Sequence, residues 1–243
     1  MTSSKNLTLI YFKMRALAEP PQLLLNYADI PYRYQMSWEY FDKPWNEVKP
    51  NIPFGQLPLL IAQNGGQIAQ SGSIVRYIAN KANMVPSDSN LAAMIDSIFE
   101  TAHEMFFPLN PTVNFAVGAA YEEAKKSIID NVKSRLTNFE DILNETLGGS
   151  FFLGEKPYYC DFGVYHHLSL LRLLEPKIFD KYPSLNQFMN AIESIESIAK
   201  YLKLRPDLIG VGTKPQLVID GKACNTGVTI DPKKKISQNI SYC

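Results

Sequence analysis

The sequence has few cysteines. Cys160, Cys224 and Cys243 are its only three in 243 residues. An odd number at wide spacing excludes a disulfide framework and fits a reducing compartment, so a cytoplasmic location is expected. No Cys-x-x-Cys follows the first apolar run, which argues against dithiol redox chemistry. Histidine is equally scarce, with His103, His166 and His167 the full set. Adjacent rings on a helix point about 100° apart and cannot share an ion. With no other His or Cys at ligand spacing, no metal is expected. There is no excess of one charge: Lys plus Arg and Asp plus Glu are 24 each, which removes the basic field that attracts nucleic acid or an anionic membrane. No stretch approaches the roughly 20 apolar residues of a membrane span. Met1 to Asn6 is polar and Leu7 to Phe12 is too short for a signal peptide. The run Lys233-Lys234-Lys235 reads as a solvated tail.

What is present is an ordinary globular composition, 46% hydrophobic and 20% charged, long enough for one large domain or two small ones. Leu7 to Phe12 reads as a buried strand. Pro20-Pro21 opens a helix over Gln22 to Ala28, and Tyr32 to Met36 reads as a second strand. Leu57 to Ile61 and Gln67 to Ala69 flank Asn64-Gly65-Gly66, a hairpin signal because the turn needs positive φ. Ser71 then caps a helix carrying Ile74, Val75, Ile78 and Ala79. The order is βαβ, then ββα, over residues 5–83.

From there the pattern is helical alone. Ala92, Ile95, Phe99, Ala102 and Phe106 recur at helical spacing, as do Ile128, Val132, Leu136, Phe139 and Leu143, which end at Gly148-Gly149. Further helices are expected over Tyr159–Leu174 and Ser184–Leu204. The prediction is α/β plus all-α, with an all-helical domain over 90–208. Residues 209–243 lack a helical stripe and read as an irregular tail, its first part extended near the cleft between the domains.

Three segments carry chemistry. The first is Tyr11-Phe12-Lys13-Met14-Arg15-Ala16-Leu17-Ala18-Glu19. The second is Trp45-x-x-x-Lys49 followed by Pro53-Phe54-Gly55-Gln56-Leu57-Pro58. The third is Gln70-Ser71-Gly72-Ser73-Ile74-Val75-Arg76-Tyr77-Ile78-Ala79. In this order and spacing they resemble the cytosolic glutathione S-transferases of the tyrosine-dependent kind. The likeness runs to about residue 205, and the N-terminal half resembles a thioredoxin-like domain. Leu17 stands where alpha, pi and sigma classes usually carry arginine and mu carries leucine. The short spacing from Trp45 to Pro58 is sigma-like, so the class reads as sigma-like with alpha and mu features. The helical domain resembles the family's N-capping box at Gly154 to Asp161, with Tyr158 replacing its Ser or Thr.

The resemblance implies conjugation of glutathione to small hydrophobic electrophiles, a detoxifying transferase with glutathione as co-substrate and no cofactor. A thiol of pKa ~8.5 is mostly protonated at neutral pH, and a hydroxyl aimed at the sulfur favours the reactive thiolate. Alone, Tyr11 reads as a core tyrosine; with the other segments it reads as that donor. Trp45 and Lys49 would take the glycyl end of glutathione. Gln56, Leu57 and a cis-Pro58 would take its cysteinyl backbone, and Gln70 and Ser71 the γ-glutamyl group. Glu104 would meet the glutathione amine of a partner subunit. A homodimer follows, with Phe54 as the aromatic key in the partner's helical domain. Phe12 and Met14 would face the electrophile. The alternative is a catalytically weak ligand-binding or structural protein, similar to the crystallins on this scaffold. Neither nucleic acid nor membrane is an expected partner.

Overall fold

The computed structural model describes residues 7–146, 149–228 and 240–242. Five consecutive buried residues, Leu7–Tyr11, form strand β1 at the centre of a sheet covered on both faces. Helix α1 (Glu19–Tyr27) begins three residues earlier than expected, with Pro20 and Pro21 in its first turn, where their missing N–H groups cost nothing. It buries Leu23, Leu24 and Leu25. The chain returns as β2 (Tyr32–Met36), parallel to β1 with Leu9 opposite Tyr34. Short helices α2 (Ser37–Phe41) and α3 (Trp45–Val48) lead to the hairpin of β3 (Leu59–Ile61) and β4 (Gln67–Ala69). Gly65 turns that hairpin at φ +83. Strand β3 runs antiparallel to β1, and α4 (Ser71–Lys81) closes the unit. This is the thioredoxin-like domain.

The helical domain comprises α5 (Ser89–His103), α6 (Phe106–Asn114), α7 (Gly118–Glu145), α8 (Tyr159–Leu174), α9 (Pro183–Ser194) and α10 (Glu196–Leu204). Helix α8 is apolar around most of its circumference and buried accordingly. A Cβ at Gly163 would lie 2.7 Å from the Phe99 ring, so glycine lets α5 and α8 approach. The start of α8 keeps half of a capping box. Asp161 accepts the N–H groups of Tyr158 at 2.8 Å and Phe152 at 3.0 Å, while Tyr158 supplies no side-chain cap. The single helix expected over Ser184–Leu204 is two. Ile195 adopts an extended conformation (φ −65, ψ 122) and breaks it. No helix among the described residues is long and apolar enough to cross a membrane.

The irregular tail is corrected. Strands β5 (Asp207–Ile209), β6 (Gln216–Ile219) and β7 (Lys222–Asn225) form an antiparallel sheet in the order β5-β6-β7. The glycines that disfavour helix set its turns: Gly210 is at φ +66, and Asp220-Gly221, at φ +47 and +71, joins β6 to β7. Leu208, Leu217 and Ile219 are buried beneath it. Strand β8 (Ile240–Tyr242) pairs antiparallel with β2 and completes the first sheet, in the order β4-β3-β1-β2-β8. The lysine run at 233–235, Cys243 and Gly148 lie outside the described residues.

Candidate functional site

Tyr11 ends β1, 4% exposed, where the chain turns out of the sheet. The turn folds Leu17 back so that its N–H donates to the Tyr11 hydroxyl at 3.4 Å. Burial pushes the hydroxyl's pKa up, and the Leu17 N–H opposes that only in part. The phenol therefore stays protonated, and with its oxygen already accepting a bond, it can donate its proton outward. A tyrosine in this state is a hydrogen-bond donor for an anion and a poor base.

Two further elements converge on this end of the sheet. The Leu57–Pro58 peptide is cis, and Leu57 and Pro58 are buried at the entry to β3. Gln70 precedes α4 at φ 70, ψ 122, a conformation non-glycine residues rarely hold outside functional sites. Gln70, not Ser71, therefore occupies the cap position, and Ser71 is a buried first-turn residue. The free N–H groups at the start of an 11-residue helix suit an anionic group there. The Gln70 side chain donates to Gln56 Oε1 at 3.0 Å, joining both segments at the surface.

Trp45 opens α3 with its ring 5.2 Å from Phe12, edge to face, which ties this segment to the residue after Tyr11. Lys49 follows α3 and is exposed. Tyr11, Trp45, Lys49, Gln56, Leu57, Gln70 and Ser71 thus all lie on the thioredoxin-like domain. Glu104 lies apart, just past α5, 63% exposed and 2.5 Å from Arg135 of α7. Phe54, at φ 59, is 77% exposed, an unusual state for a phenylalanine.

Phe12 and Met14, expected to face an electrophile, are only 8% and 9% exposed. The tail, expected as an extended segment near the cleft between the domains, reaches this side. The antiparallel bridge between Lys13 and Gly227 brings the tail onto the loop after Tyr11. Sequence reasoning missed the charged seam between the domains. Glu19 pairs with Arg205 at 2.6 Å and accepts from the Tyr201 hydroxyl at 3.0 Å, while Arg15 donates to Pro206 O at 2.6 Å. The three histidines cluster nearby, with rings of His103 and His167 6.2 Å apart and of His166 and His167 5.0 Å apart. Burial holds all three below the usual histidine range. Among the described residues no group of three His, Cys, Asp or Glu could hold a metal ion.

Comparison with known proteins converges on one family. The model described as "Glutathione S-transferase, N-terminal domain" matches residues 7–80, and "Glutathione S-transferase, C-terminal domain" matches residues 109–205. The chain is 32% identical to Glutathione S-transferase 4 of Caenorhabditis elegans over 84% of its own length and 99% of the relative's. It is 30% identical to human Glutathione S-transferase Mu 3, over 84% of this chain and 90% of that one. Among solved structures, the Pi-class glutathione S-transferase of Onchocerca volvulus superposes with a TM-score of 0.71 at 28% identity, covering 82% of this chain and 92% of that chain.

Proposed function

The chain belongs to the glutathione S-transferase family, and on that premise we propose that it conjugates the glutathione thiolate to small hydrophobic electrophiles, with Tyr11 holding the thiolate. The observation that carries this reading is the state of the Tyr11 hydroxyl: buried, protonated, and already accepting from Leu17 N–H. A preorganised donor of this kind lowers a bound thiol's pKa by ~2 units for about 2.7 kcal/mol of differential stabilisation. Leu17, which stands where alpha, pi and sigma classes usually carry arginine, contributes its backbone N–H, aligning the tyrosine.

The other residues hold the peptide. Gln70 and Ser71 take the γ-glutamyl carboxylate at the N-terminus of α4, which the forced conformation of Gln70 supports. Leu57 offers its backbone to the cysteinyl group in the manner of an added strand, with Gln56 beside it. Trp45 and Lys49 take the glycyl end. Glutathione is the co-substrate, and no cofactor takes part. Charge compensation at the glutathione amine comes from Glu104 across a homodimer interface, where it must leave Arg135 or share it. The exposed Phe54 ring is the anchor of that interface. The odd, widely spaced cysteines support a cytoplasmic location, and membership of the family supports a detoxifying role.

Tyr11→Phe tests the reading. Turnover falls by ~10²-fold while glutathione affinity stays nearly unchanged, because the lost bond acts on the thiolate more than on the peptide. Equal turnover in variant and parent at saturating glutathione would remove Tyr11 from the mechanism.

A further inference from the structure

A thiolate at Tyr11 has two sides. One is the peptide side just described. The other is bounded by the loop of residues 12–15 and the end of α6, and an electrophile must approach there. In this chain residues 207–228 occupy that side. Lys13 N–H donates to Gly227 O at 3.3 Å, and Gly227 N–H donates to Lys13 O at 3.0 Å. Thr226 Oγ1 donates to Asn114 O, and the Asn114 side chain donates to Arg15 O at 3.3 Å. The tail, α6 and the loop after Tyr11 therefore form one junction.

The segment is pinned at a second point. Gly118 N–H donates to Gly212 O at 2.9 Å, and Gly212 lies so close under the Tyr121 ring that a Cβ would stand 2.6 Å from it. Buried Leu208, Leu217 and Ile219 hold the sheet between the two anchors. This is a packed wall. Met14, in the loop after Tyr11, is buried and lines one small cavity together with Leu217 of the wall. Phe115, Val117 and Val228 remain half exposed. The C-terminal family match stops at residue 205, and a relative spanned over 99% of its length leaves 16% of this chain over (100% less the 84% matched), so the wall is an addition to the common scaffold.

We propose that residues 207–228 are a built-in wall of the acceptor site, with Thr226 and Gly227 as its selecting residues, restricting the enzyme to small or flat electrophiles. The proposal rests on the assignment of Tyr11 to the thiolate and adds what that assignment leaves open, the size of the acceptor. Glycine is favoured at 227 because φ there is +124, a conformation that other residues rarely adopt. A side chain at 227 would strain the backbone that bonds Lys13.

The test is a binding titration that needs no turnover, using two glutathione conjugates, S-methylglutathione and S-(1-pyrenylmethyl)glutathione. Two variants open the wall: truncation after Pro206, and Gly212→Ala, which displaces the distant anchor and retains every residue near Tyr11. The pyrenyl conjugate binds each variant at least tenfold more tightly than the parent, while the Kd of the methyl conjugate stays within twofold. An unchanged ratio of the two Kd values in Gly212→Ala, with S-methylglutathione still bound, overturns the wall. Turnover of 1-chloro-2,4-dinitrobenzene is measured separately. Its absence in the parent alongside a shifted Kd ratio defeats the transferase reading and leaves the wall standing.

Discussion

The glutathione side of Tyr11 and its acceptor side are built in different ways. On the glutathione side each contribution is local: a strand end, a cis-proline, a helix start forced by Gln70. On the acceptor side and at the domain seam, the contacts that join the elements link residues far apart in sequence. Thr226 bonds Asn114 across 112 positions and Tyr201 bonds Glu19 across 182. The first side works through backbone groups that many side chains could surround. The second depends on particular side chains, above all on the pairing of the Arg205 guanidinium with the Glu19 carboxylate in a buried seam.

That contrast orders the expected losses. Glu19→Ala removes the only carboxylate bonded to Arg205 among the described residues, where Glu19 is 3% and Arg205 13% exposed. Leaving an uncompensated buried charge costs about 3–5 kcal/mol, read as a drop in the urea midpoint. A loss under 1 kcal/mol would mean that the seam is solvated and the contrast false. Phe54→Ala comes next. An anchoring aromatic truncated at an interface costs about 2 kcal/mol or more, so sedimentation at micromolar concentration should show dissociation. A parent that is already monomeric there removes both the anchor and the role of Glu104 in a partner's site.

Acid sharpens the comparison further, because the buried histidines belong to the second region. His166, on α8, is lowered to about 3 by burial, then by Arg205, Arg15 and His103, and His167 is held well below its usual range. Both stay neutral in the folded state while the unfolded chain takes up protons below ~6.5, so their contribution is present above that pH and lost as pH falls. Asp161 works the other way: burial raises it from 3.8 to about 6, so its protonation favours the folded state over that window. His103 is lowered too, so three groups oppose one and the net stability falls between ~6 and ~4. Melting curves across that range should decline, and His166→Leu with His167→Leu should flatten the decline. An unchanged slope in the double variant assigns it to other groups.

The smallest effect is expected on the rim. Arg76 pairs with Asp96 and Glu100, but these groups are 33–55% exposed. Glu100→Ala should therefore cost no more than about 1 kcal/mol. A loss as large as that of Glu19→Ala would show that exposure does not separate the two clusters.

The same contrast governs what could be read from the chain. The strand Leu7–Tyr11, the turn at Asn64-Gly65 and the helix stripes are local signals, and the structure follows them with shifts of a few residues. The site segments were legible for the same reason, each a short motif. The forced φ of Gln70 left no trace in the sequence. Neither did the pairing of Lys13 with Gly227, whose partners lie more than 200 positions apart. In the tail one signal was present: Asp220-Gly221 between apolar Ile219 and the next strand is a hairpin dipeptide. The glycines at 210 and 212 argued against helix, yet they are what allows the sheet to turn and to pass under Tyr121.

The central claim, that Tyr11 donates to a glutathione thiolate, is tested most directly by titrating the thiol of enzyme-bound glutathione through thiolate absorbance in the parent and in Tyr11→Phe. The account predicts a bound-thiol pKa about 2 units below the free value of ~8.5 in the parent and a return to near that value in the variant. The same lowered pKa in both proteins would contradict it.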